Sequence, residues 1–327
     1  MKYTFEDMNM IHTLPKDIVD SLKKCPQDPK FHGEGSVYNH IKLVFDLLEP
    51  YDDIDLYLSA IFHDLGKLDT IHVYEKVTGI RIQTIGHESK VDDYIEKYSH
   101  LFPYGNWDKV SFICKNHMRA HQYLSGEIKK ESKKALFETH EYSKALLQFA
   151  LADSKGRIEN QPTQPYLIIT CGIPGSGKST WRNSFVKDHP EYKSICPDDI
   201  RKSITGSISD MSQDSRVWKH AYNSLDYALS NNVNCIFDST CVNTKTQSAI
   251  EKKGKEYNAI ILYKIFDVTS HEAKTRIRND IANSIERSNV PDIIVDRMYS
   301  NFSSSIERIA TERKKFNVFV IEKDRYK

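Results

Sequence analysis

Apolar positions recur at helical spacing through the first half of the chain. Val37, Ile41, Val44, Leu47 and Leu48 form one such set, and Ile54, Leu58, Ile61, Phe62 and Leu65 form another. Each set predicts a helix with one apolar stripe turned to a core. Further helices are predicted around residues 90–98, 109–116 and 134–151, with a short one over 17–24. Residues 71–85, with Gly79 among β-branched neighbours, predict a small extended insertion instead. After residue 165 the pattern changes. Tyr166-Leu-Ile-Ile-Thr170 is a continuous apolar run, and β-like runs recur at 193–196, 233–237, 259–268 and 317–322. Helical stretches at 181–187, 216–229 and 270–278 separate them. Strands alternating with helices predict βαβ units and a five-stranded parallel sheet. Asn160-Gln-Pro-Thr-Gln-Pro165 is polar with two prolines, which suits a linker. The expected division is therefore an all-α domain over 1–159 (core about 25–158), a linker at 160–165, and an α/β domain over 166–327.

A length of 327 residues leaves room for two cores. Lys+Arg 46 against Asp+Glu 45 leaves a net charge of +1, so no global field draws the chain to a polyanion and any such binding needs a local patch. The basic cluster Lys129-Lys-Glu-Ser-Lys-Lys134 reads as a solvated helix end. Six scattered cysteines without a C-x-x-C pair argue against structural disulfides and a thiolate zinc site, and for a reducing compartment. No apolar run approaches the about 18 residues of a membrane span, and Met1-Lys-Tyr-Thr-Phe-Glu-Asp7 lacks a signal-peptide pattern. A cytoplasmic location without membrane attachment is expected.

The run Gly172-Ile-Pro-Gly-Ser-Gly-Lys-Ser179 fits G-x-x-x-x-G-K-[ST], between a predicted strand and a predicted helix. Glycines let backbone N–H groups turn inward, the helix N-terminus adds positive potential, and Lys178 can reach β- and γ-phosphates. Gly172, Gly175, Ser176, Gly177, Lys178, Ser179 and Thr180 are thus expected to bind ATP or another NTP, with Ser179 on Mg²⁺. Asp198 and Asp238 follow predicted strands, where ligands of parallel sheets bind. Phosphoryl transfer needs a base for the acceptor hydroxyl and a carboxylate near the metal, which suit Asp198 and Asp238 respectively. Asp199 reads as a helix N-cap.

Histidines in the first half pose a second problem. His63 and Asp64 sit inside a mostly apolar helical segment, where polar groups are costly unless paired or bound to metal. His40, His87, His117 and Asp153 complete an ordered set of donors suited to Mn²⁺, Ni²⁺, Fe or Zn²⁺.

That order, with Gly35-Ser-Val-Tyr-Asn-His40, Phe62-His-Asp-Leu-Gly-Lys67, Gly86-His-Glu88, Asn116-His117 and Ala152-Asp-Ser-Lys-Gly-Arg157, resembles the HD phosphohydrolase superfamily over residues 25–158. The resemblance implies that His40, His63, Asp64 and Asp153 hold one metal, with His87 and His117 available for a second. It places Lys67 before the substrate phosphate, with His121 as a substitute ligand or phosphate contact. Asp198-Asp-Ile-Arg201, Phe237-Asp-Ser-Thr240, Phe266-Asp-Val268, Arg278-Asn279 and Arg297-Met-Tyr299, together with the P-loop, resemble phage-type polynucleotide 5′-kinases. That resemblance implies Asp198 as general base, Arg201 on the acceptor phosphate, Arg287 as the lid arginine and Arg278 on the donor phosphates. The stretch from Arg278 to Arg287 is longer than in the phage enzyme, so the choice of lid arginine stays open. The two halves together resemble the HD-Pnk family of end-healing enzymes. The implied substrates are RNA ends, with DNA as an alternative, and a separate ligase would seal the products. A small-molecule kinase fused to a nucleotide phosphohydrolase is the rival reading.

Overall fold

The computed structural model describes residues 9–158, 164–285, 287–288 and 290–322. Residues 160–163 of the expected linker lie outside them. The chain divides into two compact units, one of Met1–His72 with Ile82–Thr163 and one of Val73–Arg81 with Gln164–Lys327.

The first unit is helical. Its elements include α1 (Lys16–Lys24), α2 (Val37–Leu47), α3 (Ile54–Phe62), α4 (Lys67–Thr70), α5 (Val91–Tyr98), α6 (Trp107–Leu124), α7 (Glu131–Glu138) and α8 (Ser143–Lys155). Ser36 caps α2 by accepting from Asn39 N at 3.3 Å, and Asp53 caps α3 by accepting from Asp55 N at 3.0 Å. The apolar stripes meet in a core that includes Ile41, Val44, Phe45, Leu58, Ile61, Phe62, Leu146 and Phe149, all fully buried. Each such side chain contributes about 1.5–3 kcal/mol by leaving water. The expected helix at 109–116 is longer: Asn106 caps it, and it runs to Leu124, which puts His117 and His121 one turn apart on one face. The single helix expected over 134–151 is two helices. His140 stacks on Phe112 at 3.8 Å and its Nδ1 accepts from Tyr142 N at 3.2 Å, which ends one helix and starts the next.

The second unit contains a sheet in the order β2-β1-β7-β6-β3-β5-β4. These strands are β1 (His72–Lys76), β2 (Gly79–Gln83), β3 (Tyr166–Cys171), β4 (Lys193–Ile195), β5 (Cys235–Phe237), β6 (Ile260–Ile265) and β7 (Phe319–Glu322). The five from the second half pair in parallel, as the alternating pattern implied. The extended insertion expected at 71–85 is a hairpin. The sequence pattern places it in the first domain, yet β1 pairs with β7 in parallel, Val73 opposite Ile321, and Val73–Arg81 groups with the second unit. The connecting helices are α9 (Lys178–Asp188), α10 (Pro197–Thr205), α11 (Asp214–Ser230), α12 (Thr244–Glu256), α13 (Ser270–Ala282) and α14 (Asp292–Lys314). Leu167, Ile169, Phe237, Ile250 and Tyr263 anchor this unit's core. All six cysteines are buried and unbridged. No helix among the described residues is long and apolar enough to cross a membrane.

Candidate active sites

In the first unit, α2, the end of α3, the turn at His87, α6 and α8 bring six donors together. His40, His63, Asp64, His87, His117 and Asp153 are each buried. Two groups of three have ligand atoms within 4.8 Å of one another: His40, His63 and Asp153, and Asp64, His87 and His117. Asp64 stands between them. Its Oδ2 lies 3.3 Å from His63 Nε2 and 3.7 Å from His40 Nε2, and its Oδ1 lies 3.3 Å from His87 Nε2.

Backbone carbonyls fix three of the rings. His63, His87 and His117 donate from Nδ1 to Ala60 O at 2.9 Å, Thr84 O at 2.8 Å and Cys114 O at 2.6 Å. A carbonyl can only accept, so each Nε2 of a neutral ring turns a lone pair inward. His87 Nε2 and His117 Nε2 then face each other across 3.2 Å, two acceptors with nothing to donate between them. His63 Nε2 is buried without a hydrogen-bond partner. Asp64 Oδ2 is ion-paired to Lys67 Nζ at 2.7 Å, with no hydrogen bond aligned to it. Lone pairs converging in this way fit a cation, and the imidazole and carboxylate set fits a divalent transition metal.

Protonation follows the same geometry. Burial opposes charge on His40, but hydrogen bonds to Asp153 and Glu34 outweigh it and push its pKa up to about 9. Burial pushes His117 down to about 3. Burial also opposes charge on Asp64 and Asp153. The His63 ring and the Lys67 ammonium beside it nevertheless hold Asp64 well below the carboxylate range, as hydrogen bonds from His121 and His40 hold Asp153.

Sequence reasoning missed the support behind His40. Glu34 Oε1 lies 3.2 Å from His40 Nδ1 and 2.7 Å from His32 Nδ1, and Gln27 Nε2 donates to it at 3.2 Å. A carboxylate behind a ligating histidine orients the ring. Glu34 lies between Gly33 and Gly35, where no periodicity marks it. Lys67, expected to face the substrate phosphate, is buried and committed to Asp64 and to Gln27 Oε1 at 2.5 Å. His121, expected as a substitute ligand or phosphate contact, lies against the cluster. Its Nε2 lies 2.6 Å from Asp153 Oδ2.

In the second unit the P-loop lies between β3 and α9. Gly175 and Gly177 have φ of 81° and 97°, a region that an L side chain enters only with strain. Lys178 Nζ folds back to donate to Gly172 O and Ile173 O, both at 2.9 Å, and lies 3.3 Å from Ser176 Oγ. Burial lowers its pKa. Ser179 and Thr180 are exposed in the first turn of α9, open to a ligand. β5 lies between β3 and β4, so its end places Asp238 beside the P-loop. Thr170 Oγ1 donates to Asp238 Oδ1 at 2.9 Å, and Ser179 Oγ at 3.3 Å and Arg182 Nη1 at 3.2 Å lie against Oδ2. Arg182 was missed, although it is one turn from Lys178 on the same helix face.

Asp198 follows β4 and pairs with Arg201, whose Nη2 also donates to Asp214 at 2.7 Å. Asp199 is not the helix cap that the sequence suggested. The helix starts with Pro197 at its first turn, so Asp199 falls inside that turn and accepts from Arg182 Nη1 at 2.9 Å. Arg287 is mostly buried, pairs with Asp280, and adds to the charges that lower Lys178. Arg278, expected on the donor phosphates, is 65% exposed and pairs with Asp292. The arginine that reaches the P-loop is Arg276, with Nη1 3.5 Å from Gly175 O and 3.4 Å from Ser176 O. Residues two apart point to different sides of a helix, which separates the two arginines.

A family described as AAA domain matches residues 167–304, the span that holds the P-loop, both strand-end carboxylates and these arginines. Among solved structures, a chain of the Pnkp1/Rnl/Hen1 RNA repair complex is 25% identical, covering 44% of this chain and 46% of that one, with a TM-score of 0.41. Another from a Pnkp1/Rnl/Hen1 complex is 32% identical over 35% of this chain and 39% of that one, with a TM-score of 0.33. A chain of the PezAT toxin–antitoxin system of Streptococcus pneumoniae is 16% identical over 49% of this chain and 68% of that one, with a TM-score of 0.38. The matched region is thus less than half the length of the first two of these chains. The P-loop geometry and the family match make the second unit a P-loop, kinase-like domain.

Proposed function

We propose that the chain heals both ends of broken RNA. The second unit transfers the γ-phosphate of ATP or another NTP to a 5′-OH polynucleotide end. The first removes a 2′,3′-cyclic phosphate: one water opens the ring to a 2′-phosphomonoester, and a second releases inorganic phosphate. The 3′ position and DNA ends are variants of the same reading. The product ends, a diol and a 5′-phosphate, require a separate ligase.

The pairing in one chain of a P-loop beside Asp198 and Arg201 with six inward-facing histidine and aspartate donors carries this reading. At the kinase centre Lys178 exchanges its loop carbonyls for the β- and γ-phosphates. Asp198 accepts the proton of the 5′-hydroxyl, Arg201 holds the acceptor phosphate, and Arg287 and Arg276 balance charge on the donor. Mg²⁺ would be held by Ser179 with Asp238 behind it, neutralising phosphate charge. At the other centre His40, His63, Asp64 and Asp153 would hold a transition metal, with His87 and His117 for a second. Bound there, such a metal supplies Lewis acidity for phosphoester hydrolysis. Glu34 orients His40, and Lys67 keeps a positive charge beside Asp64.

The test offers wild-type protein a 5′-OH oligoribonucleotide with a 2′,3′-cyclic phosphate, beside free nucleosides and nucleotides, at rising salt. Activity on both oligonucleotide ends that falls with salt is the expected result. Turnover confined to nucleosides and mononucleotides would replace this reading with the small-molecule one.

A further inference from the structure

Helix α11 carries a feature that the phosphoryl-transfer chemistry leaves unused. Asp214, its first residue, accepts from Arg201 Nη2 at 2.7 Å, and Arg201 also pairs with Asp198. Trp218 follows one turn later on the same face. Helical side chains lean toward the N-terminus, so the indole covers the turn that carries Asp214. Its ring stacks on Phe237 at 6.2 Å and 24°, and the next residue is Asp238. Tyr222 supports it from one turn further on, at 5.8 Å. Trp218 is only half-buried, and its indole N–H donates no hydrogen bond among the described residues. Indole N–H groups in a closed core find an acceptor. A second donor stands unspent nearby: Arg201 Nε is buried without a partner.

We infer that Trp218 is the stacking platform for the 5′-terminal nucleobase of the acceptor strand. This rests on the 5′-OH kinase reading and adds to it what the enzyme grips beyond the phosphate. Phe237 and Tyr222 back one side of the ring, and the nucleobase covers what they leave open. Asp214 fixes the guanidinium of Arg201 between this platform and Asp198. Every base has a π face, so the site accepts all four bases and discriminates against an end that lacks one.

The experiment compares two 5′-OH oligonucleotides that differ only in whether the 5′-terminal residue carries a base or is abasic. Stacking on an aromatic side chain predicts an acceptor KM about tenfold higher for the abasic end with wild-type protein. Trp218→Leu abolishes the difference by weakening the base-bearing acceptor to the level of the abasic one. Trp218→Phe keeps most of it, and the KM for ATP is the internal control for folding. Equal KM values for both acceptors in wild type, or undiminished discrimination in Trp218→Leu, overturn the platform. Should Trp218→Leu fail to fold, Trp218→Met takes its place as the non-aromatic variant, with the same loss of discrimination expected. Should wild type phosphorylate neither oligonucleotide while it phosphorylates nucleosides, the kinase reading itself falls and the platform with it.

Discussion

Asp238 is the hinge of the P-loop centre, and replacing it separates two roles. The carboxylate is buried at the end of β5, with Thr170 on one oxygen and Ser179 and Arg182 on the other. Asp238→Ala removes the acceptor from all three donors. Breaking a buried ion pair costs about 3–5 kcal/mol, and the lower end applies here because Asp199 still holds Arg182 at 2.9 Å. A loss of about 3 kcal/mol lowers the melting temperature of a unit of this size by about 6–12 °C. Asp238→Asn keeps one acceptor, its amide oxygen toward Thr170, turns its NH₂ toward Ser179 and Arg182 and loses the charge, so a smaller cost of about 1–2 kcal/mol is expected. That variant stays folded, yet Mg²⁺ no longer tightens nucleotide binding. Thermal melts with and without ADP, each with and without Mg²⁺, read both effects. Undiminished Mg²⁺ stabilisation of nucleotide-bound Asp238→Asn would refute the metal role, and equal destabilisation by Asn and Ala would refute the contribution assigned to the acceptor oxygen.

Other expectations follow from the same geometry. Without metal, His40 keeps its proton up to about pH 9, so binding a metal there releases it. Metal affinity should therefore rise about tenfold per pH unit from pH 7 toward 9, and a flat profile in competition with a metal indicator would contradict it. Stability of the metal-free first unit has two slopes. The contribution of His40 is complete below its ordinary value of 6.5 and lost as pH rises through about 9, whereas that of His117 is lost as pH falls from 6.5 toward about 3. Urea midpoints across pH should accordingly peak near 6.5. A Gly175→Ala side chain would meet Ala273 O at 2.6 Å at a φ of 81°, so nucleotide affinity should collapse in a titration with ADP. Arg276→Ala should raise the KM for ATP several-fold, whereas Arg278→Ala should change it little, since exposed ion pairs contribute about 0–1 kcal/mol.

The strand–helix alternation after residue 165 was legible because buried parallel strands read as apolar runs. The P-loop was legible because its glycines are required by backbone geometry and its lysine by charge. The six donors could be named from an ordered set of local strings, but their division was not foreseeable. Asp64 lies between the two groups only because the turn at His87 meets the end of α3, with Gly66 packed against the His87 carbonyl. The hairpin could be read as extended, while its partner β7 lies far along the chain, and local pattern carries no such pairing. Arg276 and Arg278 differ only in helix face, which depends on where α13 rests.

The central claim is that one chain holds two chemically separate centres. It is tested most directly on one 5′-OH oligoribonucleotide with a 2′,3′-cyclic phosphate, given ATP, Mg²⁺ and in turn Mn²⁺ or Ni²⁺. Wild type should process both ends, Lys178→Ala should lose only 5′-phosphorylation, and Asp64→Ala should lose only removal of the cyclic phosphate. Loss of both activities in either folded variant, or survival of cyclic-phosphate removal in Asp64→Ala, would contradict it.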